Sequence, residues 1–325
     1  MTTTQRKLNS GFGPHSTADD VLAGLDLTGR TALITGGYSG LGLAATTALA
    51  RAGAQVIVPA RRPAVATAAL RDVPRTQVLP LDLADPDNIR RFAEQFREKG
   101  PVLDIVIGNA GVMAYPVQHI GPGWEAHFAI NHLGHFALIT ALRPAFARTG
   151  ARVVSVSSSG HFLSGIRWDD PHFRHDYDHW AAYGQSKTAN ALFAVHLDEL
   201  GATDGLHAFA VHPGSILTPL QRRIPRSEQL AQGWLTDDGR IAPGFKTPAQ
   251  GAATAVWAAT APLLHGHGGA YCQDCDIAEA ARDDDMLVGG VKPWATDRDA
   301  AARLWTLSVA LTGVDGFSVS PARYR

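Results

Sequence analysis

The sequence predicts an α/β protein. The expected core is a doubly wound parallel sheet of about seven strands, order 3-2-1-4-5-6-7, with helices on both faces. Three observations point there. Short apolar, β-rich runs alternate with helical patterns over residues 31–271, as in repeated strand–helix–strand units. The first run ends in a glycine turn, Thr35-Gly36-Gly37-Tyr38-Ser39-Gly40-Leu41-Gly42, that opens an alanine-rich helix. The chain has 325 residues, 45% hydrophobic and 18% charged, which is soluble-protein composition with enough length for a sizeable core.

In chain order, residues 1–15 read as an arm, disordered or draped over the domain. Ser16-Thr17-Ala18-Asp19-Asp20 offers a hydroxyl cap and first-turn acids for a short helix. Residues 1–25 therefore form arm and helix, and 26–325 one domain. Strands are expected at 31–34, 55–58, 77–79, 103–107, 152–156, 207–211 and near 269–271. Helices are expected at 41–51, 85–99, 123–148, from Tyr183 to about 201, at 249–259 and at 298–312. Residues 215–247 are turn-rich and suit a lid. Residues 272–325 form a C-terminal extension.

Net charge is −1, which predicts attraction to neither nucleic acid nor an anionic membrane. Residues 1–13 lack the apolar core of a signal peptide. No run reaches the ~18 apolar residues of a membrane span. The two cysteines, Cys272 and Cys275, exclude a disulfide framework and point to a reducing, cytoplasmic setting as free thiols.

Chemistry concentrates at strand ends. The glycine turn, Gly-x-x-x-Gly-x-Gly, allows close approach of a pyrophosphate to free N–H groups at a helix N-terminus. A ligand-free turn is the plain alternative. After strand two come Arg61 and Arg62, with no acid where a 2′-hydroxyl would need one. Arginine suits a 2′-phosphate, so NADP(H) is favoured, with NAD(H) possible. The alternative is a solvated helix start. Asp82 caps a turn or accepts from an adenine amino group. Gly108-Asn109-Ala110-Gly111 ends strand four with small residues. Asn131, a poor helix former in mid-helix, implies a hydrogen-bonding task. Tyr183 and Lys187, four apart, share a helix face. An ammonium there would lower the phenol's pKa and allow proton transfer to or from an alcohol oxygen.

Other groups are weaker candidates. His172, His175 and His179 with Asp176 and Asp178 read as a solvated or pocket-lining loop rather than a metal site. Phe162, Leu163, Trp168, Tyr177 and Trp180 either line an apolar pocket or cover the core.

Together, Thr35-Gly36-x-x-x-Gly40-x-Gly42, Asn109-Ala110-Gly111, Asn131, Ser158, Tyr183-x-x-x-Lys187 and Pro213-Gly214 resemble the short-chain dehydrogenase/reductase family, over about three quarters of the chain. That resemblance implies a Rossmann-type fold. Asn131-His132-Leu133-Gly134-His135-Phe136, the 25-residue step from Ser158 to Tyr183 and Ala302-Arg303-Leu304-Trp305 look like the retinol dehydrogenase and protochlorophyllide reductase branch. Two departures, the missing membrane anchor and Gly108 in place of asparagine, mean that retinoid activity is not implied.

The resemblance implies Asn131, Ser158, Tyr183 and Lys187 as the catalytic set, with Asn131 in a proton relay from Lys187. It implies cofactor contacts at Gly36, Tyr38, Ser39, Gly40, Leu41, Gly42, Arg61, Asp82, Leu83, Asn109, Ala110, Gly111, Tyr183, Lys187, Pro213, Gly214, Ile216 and Thr218. No metal is implied. The expected function is NADP(H)-dependent hydride transfer to or from a carbonyl or secondary alcohol of a hydrophobic small molecule. Carbon–carbon double-bond reduction and a non-catalytic NADP(H) sensor are the alternatives. Pairing through residues 123–148 and 183–200 would give a homodimer or homotetramer.

Overall fold

The computed structural model describes residues 4–148 and 150–317. The ends of the expected arm and C-terminal extension, residues 1–3 and 318–325, lie outside the described residues.

Helix α1 (Ala18–Leu22) starts on a Thr17/Asp20 capping box. Strands β1 (Thr31–Ile34), β2 (Gln55–Ala60) and β3 (Thr76–Pro80) alternate with helices α2 (Gly40–Arg51) and α3 (Pro63–Leu70). Helix α4 (Pro86–Lys99) is capped by the Asp85 carboxylate on the Asn88 N–H, with Pro86 in its first turn. Its buried residues Ile89, Phe92, Ala93 and Phe96 recur at helical spacing and face the sheet. Strand β4 (Ile105–Gly108) follows.

The expected long helix at 123–148 is replaced by shorter pieces. A two-stranded hairpin, β5 (His119–Ile120) and β6 (Trp124–Glu125), leads into a wide π turn at Phe128–Leu133, then helix α5 (Gly134–Ala141). The side chains explain the change. The buried Glu125 carboxylate takes the Phe128 N–H at 2.8 Å. His135 Nδ1 donates to the Asn131 carbonyl at 3.0 Å, filling a place that regular helical bonding leaves open in the turn.

Strand β7 (Arg152–Val156) precedes helix α6 (His179–Gly201). This helix opens one turn before Tyr183, because Asp178 caps it through the Ala181 N–H at 2.7 Å. Then come β8 (His207–His212), α7 (Arg226–Ala231), α8 (Pro248–Thr260), β9 (Tyr271–Gln273), β10 (Asp276–Ile277) and α9 (Arg298–Thr312).

The main sheet runs β10-β9-β8-β7-β4-β1-β2-β3. Seven strands are parallel in the expected order, and β10 adds an antiparallel edge. The described arm drapes over this edge: Leu8 and Asn9 donate their N–H groups to the Asp276 carboxylate at 2.8 and 3.0 Å. The strand order reverses between β1 and β4, which opens a crevice at their C-terminal ends. One face of the sheet packs on α1, α2 and α8 around Leu49 and Trp257, the other on α4, α5, α6 and α9 around Phe136, Phe193 and Trp305.

Helix α9 alters the expectation of pairing through α5 and α6. Trp305 stacks on Phe193 at 5.9 Å and meets Phe136 edge-on at 4.8 Å. Ser308 bonds His132 at 2.7 Å. The chain's own last helix thus covers much of the face where a second copy would dock.

Candidate active site

A cleft of about 760 Å³ opens at the crevice. Its first wall is the glycine turn. Gly36 and Gly40 take positive φ, +65° and +53°, where a side chain would be strained. Ser39 is the N-cap of α2, yet its side chain makes no capping bond. The N–H groups at that helix start are thus left to the cleft, which Ser39, Gly40 and Leu41 line. This open cradle fits the pyrophosphate of a dinucleotide.

The cradle is held from behind by Thr35. Its Oγ1 accepts the N–H groups of Asn109 and Ala110 at 2.9 and 3.0 Å and bonds His135 Nε2 at 2.8 Å. Asn109 Nδ2 donates to the Thr35 carbonyl at 2.9 Å. His135 is buried and pushed down to about 4, chiefly by desolvation, so it is neutral and bonds through both nitrogens. A Cβ on Gly108 would stand 3.1 Å from the His135 ring, which gives this departure from the family pattern a packing reason.

Of the expected cofactor contacts, Gly36, Tyr38, Ser39, Gly40, Leu41, Arg61, Asp82, Leu83, Asn109, Ala110, Gly111, Tyr183, Lys187, Pro213, Gly214, Ile216 and Thr218 line the cleft. Gly42 does not. It packs behind the turn, where a Cβ would collide with the Gly36 carbonyl and come 2.6 Å from Asn109 Nδ2. Arg61 and Arg62 stand exposed at one end of the cleft. Asp82 uses one carboxylate oxygen to cap the Ala84 N–H at 3.0 Å while still facing the cleft.

Ser158, Tyr183 and Lys187 meet in the same cleft. The Ser158 and Tyr183 side chains border the same space at Gly160, where a Cβ would stand 3.4 Å from Ser158 Oγ and 2.7 Å from Tyr183 Cε1, and Ser158 Oγ accepts the Gly160 N–H at 3.0 Å. Lys187 Nζ donates to the Val156 carbonyl at 3.0 Å and lies 5.7 Å from the Tyr183 ring centre. Burial dominates both titrations. Tyr183 is pushed up to about 12 by desolvation, partly offset by Ser158, and Lys187 down to about 8. The expected lowering of the phenol by Lys187 is not seen: burial raises Tyr183, and the Lys187 ammonium is engaged by the Val156 carbonyl.

Asn131 lies behind the cleft. Its amide brackets Val112, donating to the carbonyl at 3.0 Å and accepting the N–H at 2.8 Å, and donates to Ser186 Oγ at 2.9 Å. A Cβ on Gly111 would stand 3.1 Å from Asn131 Oδ1 and 3.8 Å from Lys187 Nζ. Both polar atoms therefore border the same small space.

The opposite wall is apolar: Leu163, Trp180, Trp234, Phe245, Met286 and Leu287. The aromatic insert thus divides between roles. Leu163 and Trp180 face the cleft, whereas Trp168 packs under Arg303 and the Tyr177 hydroxyl bonds the Tyr115 carbonyl. Trp234, Phe245, Met286 and Leu287 had not been singled out from the sequence. Their signal was the large apolar side chains set in otherwise turn-rich stretches.

His172 is buried beside Glu125, while His179 approaches Glu228 at 3.8 Å. Among the described residues no three such side chains group as metal ligands. Cys272 and Cys275 are buried free thiols, and desolvation pushes Cys275 up to about 11. Among the described residues no helix is long and apolar enough to cross a membrane.

A doubly wound sheet with a dinucleotide cradle and a Ser–Tyr–Lys cluster at its crevice defines a nicotinamide-dependent oxidoreductase. The chain belongs to the short-chain dehydrogenase family, whose model, short chain dehydrogenase, matches residues 30–229. It is 46% identical over 291 residues to a probable oxidoreductase of Streptomyces lividans, covering 86% of this chain and 97% of that one. It is 36% identical over 304 residues to polyprenol dehydrogenase of Mus musculus, covering 89% and 85%. A crystal structure of an uncharacterised protein from Mycobacterium Paratuberculosis superposes with TM-score 0.73 at 32% identity, covering 94% of this chain and all of that one.

Proposed function

We propose that the protein is an NADP(H)-dependent oxidoreductase acting on the carbonyl or secondary alcohol of an apolar small molecule. The observation that carries this reading is the gathering of Ser158, Tyr183 and Lys187 in one cleft with the glycine cradle. The nicotinamide, when bound, supplies or accepts the hydride.

The chain's residues handle position and protons. With its pKa near 12, Tyr183 holds its proton at neutral pH and acts as general acid toward a carbonyl oxygen. Ser158 Oγ steadies charge developing on that oxygen. Lys187, cationic below about pH 8, offsets the negative charge left on Tyr183 as its proton departs. Asn131 and Lys187 border the space at Gly111 through which a replacement proton reaches the pair. Gly36, Ser39, Gly40 and Leu41 hold the pyrophosphate, with Tyr38 beside them. Arg61, with Arg62, meets the 2′-phosphate. Asp82 and Leu83 flank the adenine, Asn109, Ala110 and Gly111 the central part, and Pro213, Gly214, Ile216 and Thr218 the nicotinamide. Gly42 acts through packing of the turn.

The apolar wall supports a hydrophobic substrate, and the name of the mouse relative agrees with that choice. A dimer or tetramer would have to use a surface other than the one α9 covers.

The test uses NADPH carrying a transferable deuteride with a panel of apolar ketones. The wild type places deuterium on the carbinol carbon. Tyr183→Phe binds NADPH unchanged but loses at least ~100-fold in kcat. Deuterium on a former alkene carbon would favour double-bond reduction, and binding without turnover across the panel would favour a sensor.

A further inference from the structure

The Ser158 hydroxyl borders the same space at Gly160 as the Tyr183 ring, but the Ser158 carbonyl points the other way, into buried protein. Three donors converge on it. His161 Nδ1 lies at 2.7 Å, the His161 backbone N–H at 3.1 Å and the Tyr271 hydroxyl at 3.1 Å. Three bonds on one carbonyl exceed what a short turn requires.

His161 is itself fixed from outside the turn. Its Nε2 accepts the Lys292 N–H at 3.1 Å. That bond makes Nε2 the acceptor and leaves the proton on Nδ1, where it meets Ser158. The His161 carbonyl accepts the Trp294 Nε1–H at 3.1 Å and the Thr188 hydroxyl at 3.3 Å, one residue past Lys187. The ring is fully buried, and desolvation pushes it down to about 4, so this tautomer persists at working pH.

Lys292 extends the chain of contacts to the cleft. Its Nζ donates to the Asp283 carbonyl at 2.6 Å and the Asp284 carboxylate at 2.5 Å. Asp284, Asp285, Met286 and Leu287 line the cleft mouth. Hydrogen bonds therefore run from the rim through Lys292 and His161 to the backbone of Ser158.

We propose that His161 is a positioning residue for Ser158: held by the Lys292 backbone, it fixes the Ser158 carbonyl and so aims Ser158 Oγ at the Tyr183 hydroxyl. This rests on the active-site reading above, so its test includes a readout that needs no substrate. The hydrogen-bonded state of Tyr183 is read from its ring Cζ resonance in protein labelled with 13C-tyrosine, assigned by its absence in Tyr183→Phe. The variants are His161→Ala and His161→Asn, the second keeping a donor near the Nδ1 position.

His161→Ala is expected to shift the Tyr183 resonance as Ser158→Ala does. It lowers kcat about tenfold, the scale of one lost buried hydrogen bond, with NADPH affinity unchanged. His161→Asn restores the resonance and brings kcat to within about threefold of wild type. A general loss of fold would instead lower NADPH binding and stability in both variants. A resonance unmoved in folded His161→Ala, while Ser158→Ala moves it, overturns the proposal. A shifted resonance in a protein that turns over no carbonyl upholds the positioning role and overturns the carbonyl reading instead.

Discussion

One wall of the cleft, residues 35–42 and 109–111, is short backbone between strand ends and a helix. The other, drawn from residues 160–182, 215–247 and 284–287, comes from long irregular segments. The first is held by main-chain bonds to one side chain, Thr35, and by glycines with no room for a Cβ. The second is a set of large apolar side chains from segments far apart in sequence. The first wall has little freedom to vary, because backbone geometry makes the ligand site. The second can change its lining without changing the fold, as loops on a rigid scaffold do. A common cofactor and a chain-specific substrate follow from that difference.

The largest expected effect falls on the rigid wall. Gly42→Ala places a methyl against the Gly36 carbonyl and Asn109 Nδ2. Overpacking of this kind costs ~1–3 kcal/mol, and NADPH affinity should fall at least ~10-fold with it. Thermal melts with and without NADPH measure both. Unchanged binding would show that this wall is as tolerant as the other.

An intermediate effect should strike both walls together. His135 supports Thr35, His161 supports Ser158, and His212 Nδ1 accepts the Ser159 N–H at 3.0 Å. With His132, these buried histidines are pushed down to about 4, 4, 3 and 3 in that order, chiefly by desolvation. An unfolded histidine titrates near ~6.5. Below that pH the unfolded chain binds protons that the native protein refuses, so stability falls as pH falls toward 4. The slope reaches up to ~1.4 kcal/mol per pH unit for each histidine. Urea midpoints at pH 7.5 and 5.0 should show a single transition that moves to lower urea. Two separated transitions at pH 5.0 would mean that the walls fail independently.

The smallest effect belongs to the tolerant wall. Trp234 meets Trp180 edge-on at 6.1 Å. Trp234→Ala should raise KM for bulky apolar ketones several-fold, by ~1 kcal/mol of lost apolar contact, with kcat and NADPH affinity retained. A matching loss in kcat would place Trp234 closer to the chemistry than the lining geometry does.

The two walls also differ in how far the sequence exposes them. Strand ends, the glycine turn and Tyr183-x-x-x-Lys187 depend on local chemistry, so the residues around β1, β4 and α6 could be placed before the fold was seen. The π turn at Phe128–Leu133 could not, because it depends on Glu125 and His135 bonds that helical periodicity does not reveal. Asp178 is legible as a helix cap, and the helix starts there, one turn ahead of the Tyr183-x-x-x-Lys187 pair. Covering of α6 by α9 was hidden for another reason: an amphipathic helix shows that it has an apolar face, not which surface that face meets. Trp234, Phe245, Met286 and Leu287 lie on segments with no period to register them. The upward push of burial on Tyr183 is likewise something spacing alone does not give.

The most direct test of the cofactor wall is fluorescence titration of NADPH and NADH against wild type and Arg61→Ala. Wild type should bind NADPH the more tightly. Arg61→Ala should lose ~10–100-fold for NADPH, the worth of a charge-assisted hydrogen bond to a phosphate, and nothing for NADH. Equal binding of the two cofactors by wild type, or an NADPH affinity untouched by Arg61→Ala, would contradict the assignment of this end of the cleft to a 2′-phosphate.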